Sequence, residues 1–177
     1  MNLKPQDVLF LLKLVANKNR SWTFNKLAVE LNMSPSEVHA CAQRALLAKL
    51  AVSQGDAIIP NNRNLLEFLE HGIQYVFIPE TGGPGRGMPT AHAAPPFNLV
   101  FPDTELAPVW PDPDGDVRGI AFSPLYKSAP AASRADPDLY ELLALVDCIR
   151  AGRAREKNWA IKELNNRINN NAPDSKS

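Results

Sequence analysis

The sequence predicts a mainly α-helical protein with a small β-hairpin and a proline-rich middle, and three observations lead to this fold class. Apolar residues recur at helical spacing in residues 5–50 and again in residues 136–168. A short β-prone stretch that contains a glycine lies at residues 51–60. Eleven of the sixteen prolines fall in residues 79–130, where regular elements are not expected to persist.

Local signals predict two helices before residue 33. Pro5 occupies the first position of helix one, which ends near Asn17. Helix two starts at Thr23, a residue that caps helix N-termini well, and ends at Asn32. The side chains expected on the two buried faces are Val8, Leu9, Leu11, Leu12, Val15, Leu27, Ala28 and Leu31.

The clearest start signal belongs to helix three. Ser34, Pro35 and Glu37 form a capping box, in which the Ser and Glu side chains each satisfy an unpaired backbone N–H. The helix is expected to run to about Leu50. Only residues 32–34 separate helices two and three, a connection as short as that of a helix-turn-helix. The expected buried face consists of Val38, Cys41, Ala42, Ala45 and Leu46.

A hairpin and a further helix are predicted after helix three. Residues 51–60 form two short strands around a glycine-containing turn, in the position of a wing. Residues 63–71 form a helix that Gly72 ends, and residues 73–78 are expected to form a β-strand. These elements predict a winged helix-turn-helix domain over residues 1–72.

The second predicted region is a Pro/Gly-rich strap over residues 73–135. Each proline removes a backbone donor and fixes φ, so irregular chain is expected here. The same stretch is rich in large apolar side chains, which a disordered linker would not carry. We therefore expect an ordered strap that packs on the helices. Its apolar residues include Phe97, Leu99, Val100, Phe101, Val109, Trp110, Ile120, Phe122, Leu125 and Tyr126.

The last predicted helical region covers residues 136–168. Asp136, Pro137 and Asp138 open it, with acidic residues at the favourable N-terminal end. Its apolar stripe is expected to supply the interface of a homodimer. The alternative is an intramolecular helix that packs on the strap. Residues 169–177 are expected to form a disordered tail.

Charge is distributed unevenly along a chain whose net charge is zero. Residues 1–60 carry seven Lys/Arg and four Asp/Glu, whereas residues 61–133 carry four and eight. Residues 134–177 carry eight and seven. A modestly basic N-terminal region is compatible with nucleic-acid binding at one end of the molecule. A hydrophobic fraction of 45% and a charged fraction of 21% exclude disorder across the whole chain.

Residues 1–60 resemble the winged helix-turn-helix of MarR-type bacterial transcriptional regulators. Helix two over residues 24–31, the turn over residues 32–34, the capping box and the hairpin carry the resemblance. It implies a sequence-specific, DNA-binding regulator that acts as a homodimeric repressor. It also implies that the N-terminal half of helix three enters the major groove. The implied contacts to bases or phosphates are Ser34, Ser36, Glu37, His39, Ala40, Gln43 and Arg44, and the implied backbone contacts are Lys26, Lys49 and Gln54.

Residues 72–140 also resemble a stretch of bacterial winged-helix regulators. The similar pieces are residues 86–96, residues 109–112 and residues 124–126. Some winged-helix proteins of this kind act as antitoxins or defence-system regulators that pair with a toxin. The alternative function is therefore an interaction protein whose winged helix and C-terminal region bind a partner protein.

Other chemistries are expected to be absent, so the sequence predicts no enzyme, cofactor or metal site. Residues 81–87 are glycine-rich but lack the Gly-Lys-Ser/Thr ending of a phosphate-binding loop. His92 has no recognisable catalytic partner, and residues 112–116 favour a polar turn over a calcium loop. Cys41 and Cys148 are expected to be small buried hydrophobes. The sequence shows neither a signal peptide nor a membrane span, which favours a cytoplasmic protein.

Overall fold

The N-terminal third of the chain forms the helices that its local signals predict. The computed structural model describes residues 1–18, 20–100 and 106–170. Helix α1 (Pro5–Ala16) has Pro5 in its first turn, and the backbone N–H of Lys4 donates to Asp7 Oδ2 at 2.7 Å. Helix α2 (Phe24–Leu31) follows Thr23, whose hydroxyl accepts from the Lys26 N–H, and ends at Asn32 in the left-handed conformation (φ 53°).

Helix α3 (Pro35–Leu47) begins with the predicted capping box and is followed by a hairpin. The helix ends three residues before the expected Leu50, because Lys49 adopts a positive φ of 60°. Strands β1 (Ala51–Gln54) and β2 (Ala57–Pro60) pair antiparallel around a two-residue turn. Gly55 takes φ 62° in this turn, a conformation that glycine adopts without strain.

Two helices follow the hairpin, and the second replaces a predicted strand. Helix α4 (Asn62–His71) is the expected helix, with Asn61 accepting at its N-terminus. The prediction of a strand over residues 73–78 was wrong, because α5 (Ile73–Val76) continues as a helical turn. Ile73 is fully buried while Tyr75, Val76 and Ile78 are exposed. An apolar run of this length does not by itself distinguish a strand from a short helix.

The middle of the chain contains regular structure that the sequence did not predict. Strands β3 (Thr81–Pro89), β4 (Pro108–Pro111) and β5 (Val117–Phe122) each pair with the other two. Strand β3 runs antiparallel to both neighbours, and β4 runs parallel to β5. Short 3₁₀ turns at Ala91–Ala93 and Phe97–Leu99 connect β3 with the helical layer. We call β3, β4 and β5 the β-layer.

Glycine and proline make the β-layer possible rather than preventing it. A Cβ on Gly87 would lie 2.0 Å from the Trp110 carbonyl oxygen, and one on Gly119 would lie 2.0 Å from that of Ala107. Only glycine permits such close approach of the strands. Pro89 closes the β3 strand, and Pro84 lies at a register shift, where proline is tolerated. The expectation of irregular chain was therefore wrong for β3, β4 and β5. The expected packing on the helices is seen for Phe97, Trp110 and Phe122, which belong to one hydrophobic cluster with helical residues, whereas Phe101 lies outside the described residues.

The C-terminal part consists of α6 (Ala129–Ala135), α7 (Pro137–Ala151) and α8 (Ala154–Asn170). Asp136 caps α7 by accepting from the Leu139 N–H, and Gly152 ends it with φ 77°. Helix α8 extends two residues into the stretch predicted to be a disordered tail, and residues 171–177 lie outside the described residues.

Helix α7 lies at the centre of the molecule. It packs against α1, α4, α5, α6, α8 and the turn at residues 91–93. The apolar stripe predicted for a dimer interface is therefore buried within the chain, which is the intramolecular alternative. One hydrophobic cluster includes buried side chains of α1, α3, α4, α7, α8 and the β-layer. The buried residues of the predicted stripe are Leu139, Leu142, Leu143, Val146 and Ile149.

Asp147 of α7 anchors the β-layer to the helices. Its carboxylate accepts from Thr90 Oγ1 at 2.6 Å, Trp110 Nε1 at 2.8 Å and Arg150 Nη1 at 2.7 Å. Burial raises the pKa of Asp147, and these three donors act in the opposite direction. The Arg150 guanidinium also donates to the carbonyl oxygens of Phe77 and Ser123.

Cys41 and Cys148 are buried and form no disulfide bond, as predicted. Burial raises the pKa of Cys41 to about 12. Among the helices within the described ranges, none is both long and apolar enough to cross a membrane.

Candidate nucleic-acid interface

The exposed face of α3 carries most of the side chains that the sequence predicts for DNA contact. Ser34, Ser36, His39 and Gln43 are exposed, and Ala40 is half-buried among them. The opposite face is buried against α1 and α2. The helix therefore presents a row of polar hydrogen-bonding side chains to solvent, which we call the α3 row (Ser34, Ser36, His39 and Gln43).

Glu37 is half-buried and is held by its neighbours. Its Oε2 accepts from the Ser34 N–H at 2.8 Å, and the Glu37 N–H donates to Ser34 Oγ at 3.2 Å. The other oxygen, Oε1, accepts from the Tyr126 hydroxyl at 3.2 Å. These bonds, with the charge of Lys127, lower the pKa of Glu37 below its ordinary value of 4.5. Glu37 therefore caps and anchors α3, and its base or phosphate contact stays a prediction.

Arg44 does not belong to the exposed face, which corrects its predicted role in reading DNA. Its side chain is 8% exposed, and Asp7 of α1 is fully buried beside it. Arg44 Nε donates to Asp7 Oδ2 at 2.8 Å and Nη2 donates to Oδ1 at 2.7 Å. The hydrogen bond to Asp7 raises the pKa of Arg44. Because Asp7 lies in α1 and Arg44 lies in α3, this ion pair joins the two helices. The sequence could have indicated this burial, because helical spacing places Arg44 next to Cys41 and Ala45 on the apolar face of α3.

The three predicted backbone contacts are all exposed. Lys26 lies in the first turn of α2, Lys49 follows α3, and Gln54 ends strand β1 next to the hairpin turn. Sequence reasoning missed two further cations at the edges of this surface. Arg20 is exposed before α2, with its Nε donating to the Asn17 carbonyl, and Lys127 lies 5.8 Å from the Tyr126 ring centroid.

Tertiary contacts neutralise part of the basic charge of residues 1–60. Lys13 is buried and bonds Glu30 at 3.2 Å and Asp136 at 2.7 Å. Lys18 pairs with Asp138 at 3.2 Å on the surface. With Arg44, three of the seven basic side chains are thus paired with carboxylates. Because Asp136 and Asp138 lie outside residues 1–60, these pairs reduce the excess of positive charge that the sequence assigns to the N-terminal region.

A chain of aromatic contacts positions His39. The Phe10 and Trp22 rings lie 5.9 Å apart, Trp22 and Phe24 lie 5.3 Å apart, and both pairs meet edge to face. The Phe24 ring lies 5.2 Å from the His39 ring. Because Phe10 is fully buried, this chain connects an exposed member of the α3 row to the core.

The remaining candidate sites have structural roles. Residues 81–87 lie in strand β3, not in a loop before a helix. Asp112 accepts from the Asp114 N–H at 3.0 Å and pairs with Arg134, which fits the predicted polar turn. Among the residues that the structure describes, no three His, Cys, Asp or Glu side chains lie close enough to hold a metal ion.

Comparisons of this chain with protein-family models, with curated proteins and with solved structures find no match.

Proposed function

We propose that the chain is a sequence-specific DNA-binding regulator that reads DNA with the N-terminal half of α3. The observation that carries the proposal is the α3 row, an exposed set of two hydroxyls, an imidazole and a carboxamide. Glutamine can bond adenine in two places, and Ser hydroxyls suit either bases or phosphates. Glu37, the acidic residue of this helix, has both carboxylate oxygens engaged by Ser34 and Tyr126.

The order of elements supports this proposal. Helices α1, α2 and α3 pack on one another, residues 32–34 connect α2 to α3, and the β1–β2 hairpin follows directly. This is the element order of a winged helix-turn-helix, in which the second helix of the motif enters the major groove. The hairpin would then act as a wing, with Gln54 beside its turn.

Electrostatics predict modest affinity. Arg20, Lys26 and Lys49 are the exposed cations near α2 and α3, and Lys127 adds a fourth. With about three phosphate contacts, the logarithm of the binding constant falls with the logarithm of salt concentration with a slope of roughly −3 per chain. Base contacts by the α3 row would therefore have to supply most of the preference for a specific DNA site over random DNA.

The proposal includes a homodimer that acts as a repressor in the cytoplasm. A two-fold pair doubles the number of base contacts by reading two half-sites. The apolar stripe of α7 is buried within the chain, so pairing would use another surface.

The test is a gel shift with the DNA upstream of the gene and with random DNA, at two salt concentrations. His39→Ala with Gln43→Ala is expected to lower specific affinity at least tenfold, since each base contact contributes about 1–3 kcal/mol. Asn158→Ala with Asn166→Ala is the matched control, because both side chains are exposed on α8. Equal binding of both DNAs by the wild type, or equal affinity of both variants, would overturn the proposal.

A second candidate function is the binding of a partner protein through the same two helices. Val29 of α2 is 79% exposed and Leu47 of α3 is 62% exposed, which favours an apolar partner surface over phosphates. An antitoxin-like protein would show this behaviour. Absence of a DNA shift, together with co-purification of a neighbour-encoded protein that Val29→Glu with Leu47→Glu abolishes, would favour this function.

A further inference from the structure

A groove of about 490 Å³ runs along one edge of the β1–β2 hairpin. All four residues of β2 line it, whereas Gln54 is the single residue of β1 in the described lining. Residues 20–24, which lead into α2, also line it, as do Leu14 and Asn17 at the C-terminal end of α1. Its volume is within the range of small-molecule sites. The groove therefore lies along the edge of β2 that faces away from β1.

The register of the hairpin determines which backbone groups of β2 point towards this open edge. Just beyond the paired strands, the Asn61 N–H donates to the Leu50 carbonyl at 2.9 Å. In an antiparallel pair, residues that bond across the ladder alternate with residues whose N–H and C=O point away from it. Counting back from Asn61, Ile59 and Ala57 bond to β1, and Ile58 points its N–H and C=O away from β1. Within the described ranges, neither of these two groups of Ile58 has a hydrogen-bond partner.

Pro60 restricts the open edge to a single residue. The next outward position after Ile58 is Pro60, which has no N–H to donate. In the other direction, β2 begins at Ala57, next to the hairpin turn. An added peptide strand forms a series of main-chain bonds, whereas one donor beside one acceptor matches the edge of a single amide or lactam. The edge of β2 therefore favours a small ligand over an added strand.

The lining also contains aromatic side chains and two opposite charges. Trp22 and Phe24 line the groove and are half-buried, and their rings meet edge to face with centroids 5.3 Å apart. Such rings favour a flat aromatic ligand, which can stack on a face or pack against an edge. Arg20 and Asp56 are exposed lining residues of opposite charge, so the groove favours neither an anion nor a cation.

We propose that this groove binds a neutral, planar aromatic molecule with a lactam edge, whose carbonyl accepts from the Ile58 N–H and whose N–H donates to the Ile58 carbonyl, with the ring against Phe24. Oxopurine bases and quinolin-2-ones have such an edge. The Phe24 ring lies 5.2 Å from the His39 ring, so an occupant would contact a side chain that touches the α3 row. An effect on DNA reading rests on the proposed function, whereas binding of the ligand does not.

The first test compares two ligands by titration calorimetry with the full chain. Quinolin-2(1H)-one has the lactam N–H, and 1-methylquinolin-2-one is the same ring with that N–H replaced. The wild-type chain is expected to bind one quinolin-2(1H)-one, and to bind the methylated ring roughly tenfold more weakly, because the Ile58 carbonyl then lacks its donor. Absence of saturable binding, or an affinity for the methylated ring that equals or exceeds that for the lactam, would overturn the proposal.

The second test removes the donor from the protein. Ile58→Pro deletes the outward N–H and leaves the ladder bonds of Ala57 and Ile59, since proline is tolerated where the N–H faces away from the partner strand. Ile58→Ala loses the same half-buried side chain but keeps the N–H, and is the matched control. The proline variant is expected to bind quinolin-2(1H)-one roughly tenfold more weakly than the alanine variant. Equal affinity of two folded variants would overturn the role of Ile58, and the first test stands without any variant.

The third test locates the ring by nuclear magnetic resonance. Saturating quinolin-2(1H)-one is expected to shift the ring-proton resonances of His39, whose neighbour Phe24 lines the groove. His71 is exposed at the end of α4, outside the described lining, and its resonances should stay unchanged. Unchanged His39 resonances, or equal shifts for both histidines, would overturn the placement against Phe24. Because DNA is absent from all three tests, their failure is distinguishable from failure of the DNA-binding proposal.

Discussion

Asp7 in the N-terminal helices and Asp147 in the centre of the molecule are both buried carboxylates, but they connect different kinds of structure. Both carboxylate oxygens of Asp7 accept from a single side chain, Arg44, and so align two helices that have their own start signals. Asp147 gathers donors from three separate segments, and two of them, Thr90 and Trp110, belong to the β-layer or its edge.

The difference concerns what each carboxylate has to hold in place. Without the Arg44 guanidinium, α1 and α3 would keep their capping boxes, that of α1 formed by Asp7 itself, and their apolar faces. The β-layer has no comparable local support, because it consists of strands rich in glycine and proline. The C-terminal half should therefore depend more strongly on one polar network than the N-terminal half does.

Replacement of Asp147 should have the largest effect. Asp147→Ala leaves the Arg150 charge and the Thr90 and Trp110 donors buried without their acceptor. We expect the free energy of unfolding in urea to fall by about 5 kcal/mol, at the upper end for a broken buried ion pair. Asp147→Asn keeps the shape and an acceptor, and should lie between this variant and the wild type.

Asp138 supplies the control for that measurement. Its pair with Lys18 is more than half exposed on both sides, so Asp138→Asn should cost about 0–1 kcal/mol. Similar losses for Asp147→Ala and Asp138→Asn would show that the β-layer does not depend on the buried network.

The pair in the N-terminal half should have the next largest effect. Arg44→Met leaves Asp7 buried and unpaired, and should lower the free energy of unfolding by about 3 kcal/mol. Asp7→Asn combined with Arg44→Met removes both charges and keeps an acceptor for the Lys4 N–H, so at least half of the loss should be recovered.

The same double variant tests the correction to the DNA interface. If Arg44 contributes to DNA binding only by stabilising the fold, the variant with Asp7→Asn and Arg44→Met should bind DNA within about twofold of the wild-type affinity. This corresponds to a difference in binding free energy of less than about 1 kcal/mol. A tenfold loss of DNA affinity in a folded double variant would restore Arg44 as a contact residue.

Close strand contacts in the β-layer should have the smallest effect of the three. Gly87→Ala places a Cβ against the Trp110 carbonyl oxygen, and should cost about 2 kcal/mol because backbone has to shift. Gly85→Ala in the same strand meets no atom within 4 Å, and should change stability by less than about 0.5 kcal/mol. Thermal unfolding of the two variants distinguishes close packing from a general glycine requirement in β3.

The helices and the hairpin of residues 1–72 were largely predictable because their signals are local. Thr23, Ser34 and Asn61 each bond a backbone N–H three residues later, so a few neighbouring residues suffice to recognise a helix start. Asn32 and Gly152 likewise end α2 and α7 in the left-handed conformation. Exposure of Ser36, His39 and Gln43 followed from helical periodicity alone.

The β-layer was not predictable in the same way because its signals are non-local. Gly87 faces Trp110 and Gly119 faces Ala107, and these close approaches exist only in the folded chain. Single-sequence propensity reads the same glycines and prolines as breaks. Ile73 was assigned to a strand because its apolar run is too short to reveal a helical period.

The sequence by itself determined where most helices start and end, where the hairpin turns and which face of α3 is polar, because capping, turn and periodicity signals act over a few residues. The tertiary structure decided which partners the side chains of Arg44, Glu37 and Lys13 bond. Those partners, Asp7, Tyr126 and Asp136 respectively, are distant in the chain. It also decided that α7 is a central core helix. Charge pairing and burial depend on what the rest of the chain brings into contact, which no local pattern encodes.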